Sequence, residues 1–258
     1  MFPNELSLAK WLIEAIKACD LYSIKNILSG SAISKKPYED ILVKYFSSYV
    51  PMIIARPDIV MIIEDYRKLI DEWRLVAIEL KYFKKIDKKR WREAYREIGQ
   101  ALRYYVYGFD SAILWHVFDR EIDNAAVRAY SNVVREVIEK LELPIAYFST
   151  KIIDEGKFLV FKPLESGSHS DVCYIVNWMI NYCRSNIRNP LLPHNKEIVE
   201  RREALKAVLR KRKDGEVTRR VILTLFSPSH NVYHGLSIIF LTTCFLLFHY
   251  YNKSLTSC

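Results

Sequence analysis

Apolar residues recur along this chain with two periods, and the changes between them mark out its elements. Behind Asn4, a residue suited to cap a helix, Leu8, Leu12, Ala15 and Ile16 fall at helical spacing, predicting a helix to about Cys19. A loop rich in Ser, Gly and Lys (29–36) follows, and Pro37 opens a second helix with Tyr38, Ile41, Leu42, Tyr45 and Phe46 on its apolar side. Tyr49 to Ala55 and Arg56 to Ile63 read as strands. Leu75 to Phe83 is a third, with Val76, Ile78, Leu80 and Tyr82 on one face and Ala77, Glu79, Lys81 and Phe83 on the other. A helix is expected from about Asp87 to Tyr107, burying Trp91, Ala94, Tyr95, Ile98, Leu102 and Tyr105. Ser111 to Phe118 is a clear strand, and Asp123 or Asn124 begins a helix to about Leu141 with Ala126, Val127, Tyr130, Val134 and Ile138 inward. Ile145 to Ser149 and Phe158 to Phe161 close the series around a turn at Asp154-Glu155-Gly156. Further helices are expected at Asp171 to Ile187 and over 196–213. Strands and helices so interleaved make an α/β fold.

Four regions result: an N-terminal helix (1–36), a core (37–165), a basic helical extension (166–226) and an apolar tail (227–258). In the tail, residues 232–251 contain no Asp, Glu, Lys or Arg, which is long enough to span a bilayer, while a tail buried against the domain fits as well. The preceding KRKDGEVTRR would keep the body of an anchored protein in the cytoplasm.

Composition narrows the partners. Among 258 residues the net charge is +9, which favours a polyanion, either nucleic acid or an acidic membrane surface. Five cysteines stand apart with no CxxC pair, arguing for a reducing, intracellular setting and against a disulfide scaffold or zinc ribbon. No Gly-rich phosphate loop indicates ATP use.

Chemistry concentrates between Arg56 and Tyr104. Glu79 and Lys81 project from the same side of a largely apolar strand, and Asp58 sits behind Pro57 at the mouth of another. Buried charges require pairing, hydration or a metal, so these groups are either a cross-strand ion pair or oxygen ligands for a hard cation such as Mg²⁺ or Mn²⁺. On the following helix Lys89, Arg92, Arg96, Gln100, Arg103 and Tyr104 recur at three- and four-residue steps. Such a face either tracks a phosphate backbone or is a solvated surface laced by Arg/Glu pairs. His116 reads as a core histidine, and His230 and His234 lack a third ligand.

Pro57-Asp58, Glu79-Leu80-Lys81 and the Gln100/Tyr104 pair together resemble the PD-(D/E)XK nucleases, in particular the RecB-type branch with its QxxxY signature. The likeness covers roughly residues 36–162. It implies a restriction-endonuclease-like αβββαβ core with a mixed sheet flanked by helices. It also implies a nuclease of DNA repair or recombination that cuts DNA as an end-processing exonuclease or a structure-specific endonuclease. Asp58, Glu79, the carbonyl of Leu80 and a helix acid, here Glu39 with Asp40 next, would hold Mg²⁺ or Mn²⁺. Lys81 would orient the attacking water, and Gln100 and Tyr104 would position the phosphate or strand. The late cysteines are too widely spaced for the iron–sulfur cluster of some relatives, so none is expected. Partners so implied are single-stranded, terminal or branched DNA and a second copy of the chain. Two rivals stand beside this reading: a catalytically silent nucleic-acid-binding module on the same fold, and a membrane-tethered protein whose basic surface serves anionic lipid.

Overall fold

Among the described residues, seven strands make one mixed sheet, and their order across it is their order along the chain. The computed structural model describes residues 2–30, 40, 43, 56–65, 72–163, 168–185 and 188–209, with the backbone alone at 65, 72 and 88–95. All of these belong to one unit, Met1–Lys213. The elements are α1 (Glu5–Ala18), β1 (Ile24–Ser29), β2 (Ile59–Asp65), β3 (Glu72–Phe83), α2 (Lys88–Val106), β4 (Ser111–Phe118), α3 (Asn124–Lys140), β5 (Ile145–Asp154), β6 (Lys157–Lys162), β7 (Ser168–Asp171) and α4 (Val172–Ser185). Residues 196–209 form a further helix, α5.

β1, β2 and β3 pair antiparallel, β3, β4 and β5 parallel, and β5, β6 and β7 antiparallel. Each parallel step needs a long crossover, and α2 and α3 supply them. Both crossovers run the same way across the sheet, so both helices lie on one face. There Ile98 and Ala101 of α2 and Val127, Tyr130, Val134 and Ile138 of α3 pack on Phe83, Leu114 and Phe118. On the other face α1 and α4 cover Val76, Ile78, Leu80, Trp115 and Val117. The two faces of β3 are those its alternation predicts. Covered on both sides, β4 is buried along its whole length.

α2 and α3 lie within a few residues of the expected bounds, with Asp123 as the N-cap of α3. The hairpin turn is present, with Gly156 at φ +74°, a conformation that favours glycine. At both ends the fold departs from expectation. The strand beside β2 is Ile24–Ser29, which falls within the region 1–36 expected to hold only a helix and a loop. The expected strand at 49–55 lies outside the described residues, as does most of the Pro37 helix, of which Asp40 and Val43 are helical. β7, SHSD, also lies beyond the expected core; a polar edge strand has no apolar alternation to reveal it.

The cysteine reading is corrected. Cys19, just past α1, and Cys173, in the first turn of α4, form a disulfide across 154 residues of sequence, with their Cα atoms 5.4 Å apart. Docking α1 and α4 on one sheet face brings them together, and sequence spacing carries no trace of that. Among the described residues no helix is long and apolar enough to cross a membrane. Residues 232–251, His230 and His234 lie outside the described residues.

Candidate functional site

The site forms where β2 parts from β3. Their pairing ends at Ile59 and Ile78, while β3 continues to Phe83 against β4. Every second residue of β3 turns its N–H towards the strand that has left, and buried N–H groups require acceptors. Asp58 Oδ2 accepts from Leu80 N at 2.8 Å, and one step on Glu5 Oε2 accepts from Tyr82 N at 3.3 Å. Two carboxylates thus continue the ladder that β2 abandons.

Backbone contacts hold Asp58 there. Its N–H donates to Ile78 O (3.1 Å), and its carbonyl accepts from Gly30 N (2.9 Å). A Cβ on Gly30 would stand 1.6 Å from the Pro57 carbonyl oxygen, so only glycine allows the end of β1 this close to Pro57-Asp58. Glu5 is set by a capping box in which Asn4 Oδ1 accepts from Ser7 N at 2.9 Å and Asn4 N donates to Ser7 Oγ at 3.2 Å. Lys84 Nζ donates to Pro3 O at 2.8 Å and fastens this end of α1 to the end of β3.

Glu79 and Lys81 leave β3 towards α2. The Glu79 carboxylate is 5% exposed and engaged at both oxygens: Lys81 Nζ is 2.6 Å from Oε1, and Tyr104 of α2 donates its hydroxyl to Oε2. Lys81 Nζ also lies 3.4 Å from Glu5 Oε1. One ammonium therefore serves carboxylates from α1 and β3, with Asp58 alongside. Burial, then the charge of Glu79, pushes the Asp58 carboxyl up to about 7, although Lys81 and the Leu80 N–H pull the other way. Burial works to discharge Lys81, but Glu79, Glu5 and Asp58 outweigh it and raise its pKa, so the ammonium stays charged.

Asp58, Glu79 and Lys81 thus come together, with Leu80 between them. Tyr104 joins them from inside: it is fully buried against Glu79 and does not share the surface of the cations near it in sequence. Gln100, one turn earlier, is half-buried. Arg96 is exposed and Arg103 half-buried on the same helix, while the side chains of Lys89 and Arg92 lie outside the described residues. So does Glu39. Among the described residues the helix acid at the site is Glu5, which the sequence reading missed; beside Asn4 it looks like an ordinary favourable charge in a first helical turn, and nothing local points to Lys81.

His116 is a core histidine, as expected. It is fully buried, Nδ1 is 3.1 Å from the Tyr147 hydroxyl, and burial lowers its pKa. Glu97 Oε2 lies 3.1 Å from Nε2 but off the ring N–H direction, so that nitrogen lacks a well-aligned partner.

Compared with family models, curated proteins and solved structures, this chain matches none. A functional reading therefore rests on its own geometry. Among the described residues no group of three or more His, Cys, Asp or Glu is disposed to hold a metal ion. The donors present are nonetheless those a hard cation takes. Oδ1 of Asp58 accepts no hydrogen bond among the described residues, and its carboxyl is raised first by burial and then by the charge of Glu79, which Lys81 does not fully offset.

Proposed function

We propose that this protein is a Mg²⁺- or Mn²⁺-dependent nuclease that hydrolyses DNA phosphodiester bonds on a restriction-endonuclease-like core. One observation carries the reading: Asp58, Glu79 and Lys81 converge where β2 leaves β3, joined by Glu5 from the helix that precedes the three strands. The order helix, three strands, helix, strand supports it as well.

Asp58 and Glu79, with the Leu80 carbonyl on the same strand, would hold the ion, which supplies Lewis acidity at the scissile phosphate. Lys81, kept charged by its three acidic neighbours, orients the attacking water and donates to the phosphate oxygen that gains charge. Tyr104 fixes Glu79 by holding Oε2, and the buried site presents its groups with little reorganisation. Water adds to phosphorus, the bond to the 3′ oxygen breaks, and a 5′-phosphate and a 3′-hydroxyl result. Gln100, Arg96 and Arg103 on α2 receive the flanking DNA backbone.

A second reading has its own support. Glu79 is already satisfied by Lys81 and Tyr104, an arrangement that suits a catalytically silent DNA-binding module on this fold. Cleavage of labelled single-stranded, double-stranded and branched DNA with Mg²⁺, Mn²⁺ or EDTA separates the two. The nuclease predicts metal-dependent cutting that Glu79→Ala and Lys81→Ala each reduce by about 10²-fold or more while DNA binding persists. The preferred substrate then distinguishes end-processing from structure-specific cutting. Binding without cutting in every metal would establish the silent module.

A further inference from the structure

Across the sheet from Glu79 and Lys81, the N-terminal end of α1 and the β5–β6 hairpin enclose a cleft of about 370 Å³, a volume suited to a small ligand. Its walls are aromatic. The rings of Phe2 and Trp11 stand 5.3 Å apart at 49°, and Trp11 and the buried Phe158 stand 6.4 Å apart at 50°. Its charged groups are three carboxylates, Asp119, Asp154 and Glu155, against the single guanidinium of Arg120. On a chain of net charge +9, this cleft carries the opposite sign.

We infer that the cleft binds a small organic cation, an alkylated ammonium. Ring faces present negative potential to a cation and apolar surface to its alkyl groups, and carboxylates at the rim add attraction of the same sign. A phosphate or other anion would meet those carboxylates and be repelled. Asp119 is buried and rigid, since Tyr82 donates its hydroxyl to Oδ2 and Glu121 N donates to Oδ1 at 3.2 Å. Asp154 and Glu155 are exposed at the hairpin tip, so their charges can be removed without opening the core. This inference does not depend on the nuclease reading.

The test uses the full chain and two probes of one shape, choline and its uncharged carbon isostere, titrated by calorimetry and by tryptophan fluorescence. Saturable choline binding is expected, with the isostere weaker by about tenfold. Asp154→Asn combined with Glu155→Gln should weaken choline severalfold and leave the isostere unchanged, and Trp11→Leu should weaken both. Equal binding of the two probes, or indifference of choline to the hairpin charges, would overturn the inference. So would a mononucleotide that binds the cleft more tightly than choline, since that would make it a base pocket.

Discussion

Asp58 concentrates the electrostatics of the site in one titrating group. Its carboxyl is raised from 3.8 to about 7, so between those values the folded chain holds a proton that the unfolded chain has released. Stability from this group is present below about pH 4 and is lost as pH rises through about 7. Asp58→Asn keeps an oxygen for the Leu80 N–H and removes the titration. The variant should therefore gain stability relative to the native chain as pH increases from 4 to 8, by about 1–3 kcal/mol after allowance for partial exposure. Urea unfolding in EDTA across that range measures it; parallel profiles for the two proteins would mean that Asp58 ionises normally. The same variant should lose metal-dependent cleavage, because the amide cannot supply the negative charge the ion requires.

At the scale of elements, α1 joins the covalent and the chemical organisation of the molecule. Its first residue, Glu5, meets Lys81, and the disulfide just past its last turn ties it to α4. A link across 154 residues restricts the unfolded chain strongly. Reduction, or Cys173→Ser, should lower unfolding free energy by about 2–4 kcal/mol, read from denaturant melts with and without a reductant. A melt unchanged by reductant in the native chain would show that the bond contributes nothing to stability. β1 has a parallel role on the other side, since Gly30 at its end lets Pro57-Asp58 pack where Asp58 can reach Leu80.

For the whole molecule, the net charge of +9 makes the proposed DNA partner testable through salt. A chain of net charge +9 that binds DNA should release counterions as it does so, and affinity should fall linearly with salt on logarithmic axes. Arg96→Ala and Arg103→Ala should each reduce that slope by about 1 if both contact phosphates. Fluorescence anisotropy with a labelled oligonucleotide measures this, and an unchanged slope would remove α2 from the interface. Vesicle flotation with anionic lipid tests the rival use of the basic surface.

The chemistry of the site was legible in the sequence where strand period alone decides it. Glu79 and Lys81 share a face because side chains alternate, and Asp58 precedes a strand because Pro57 and the run of apolar residues after it say so. α2, β4 and α3 were legible for the same reason, since each buries a continuous apolar stripe or run. Tertiary structure decided what distance along the chain conceals. It chose Ile24–Ser29 as the neighbour of β2, brought Glu5 from far along the chain to Lys81, turned Tyr104 inward onto Glu79, and closed Cys19 on Cys173. Each is a contact between elements, fixed by which faces pack together, and local periodicity carries no record of that choice.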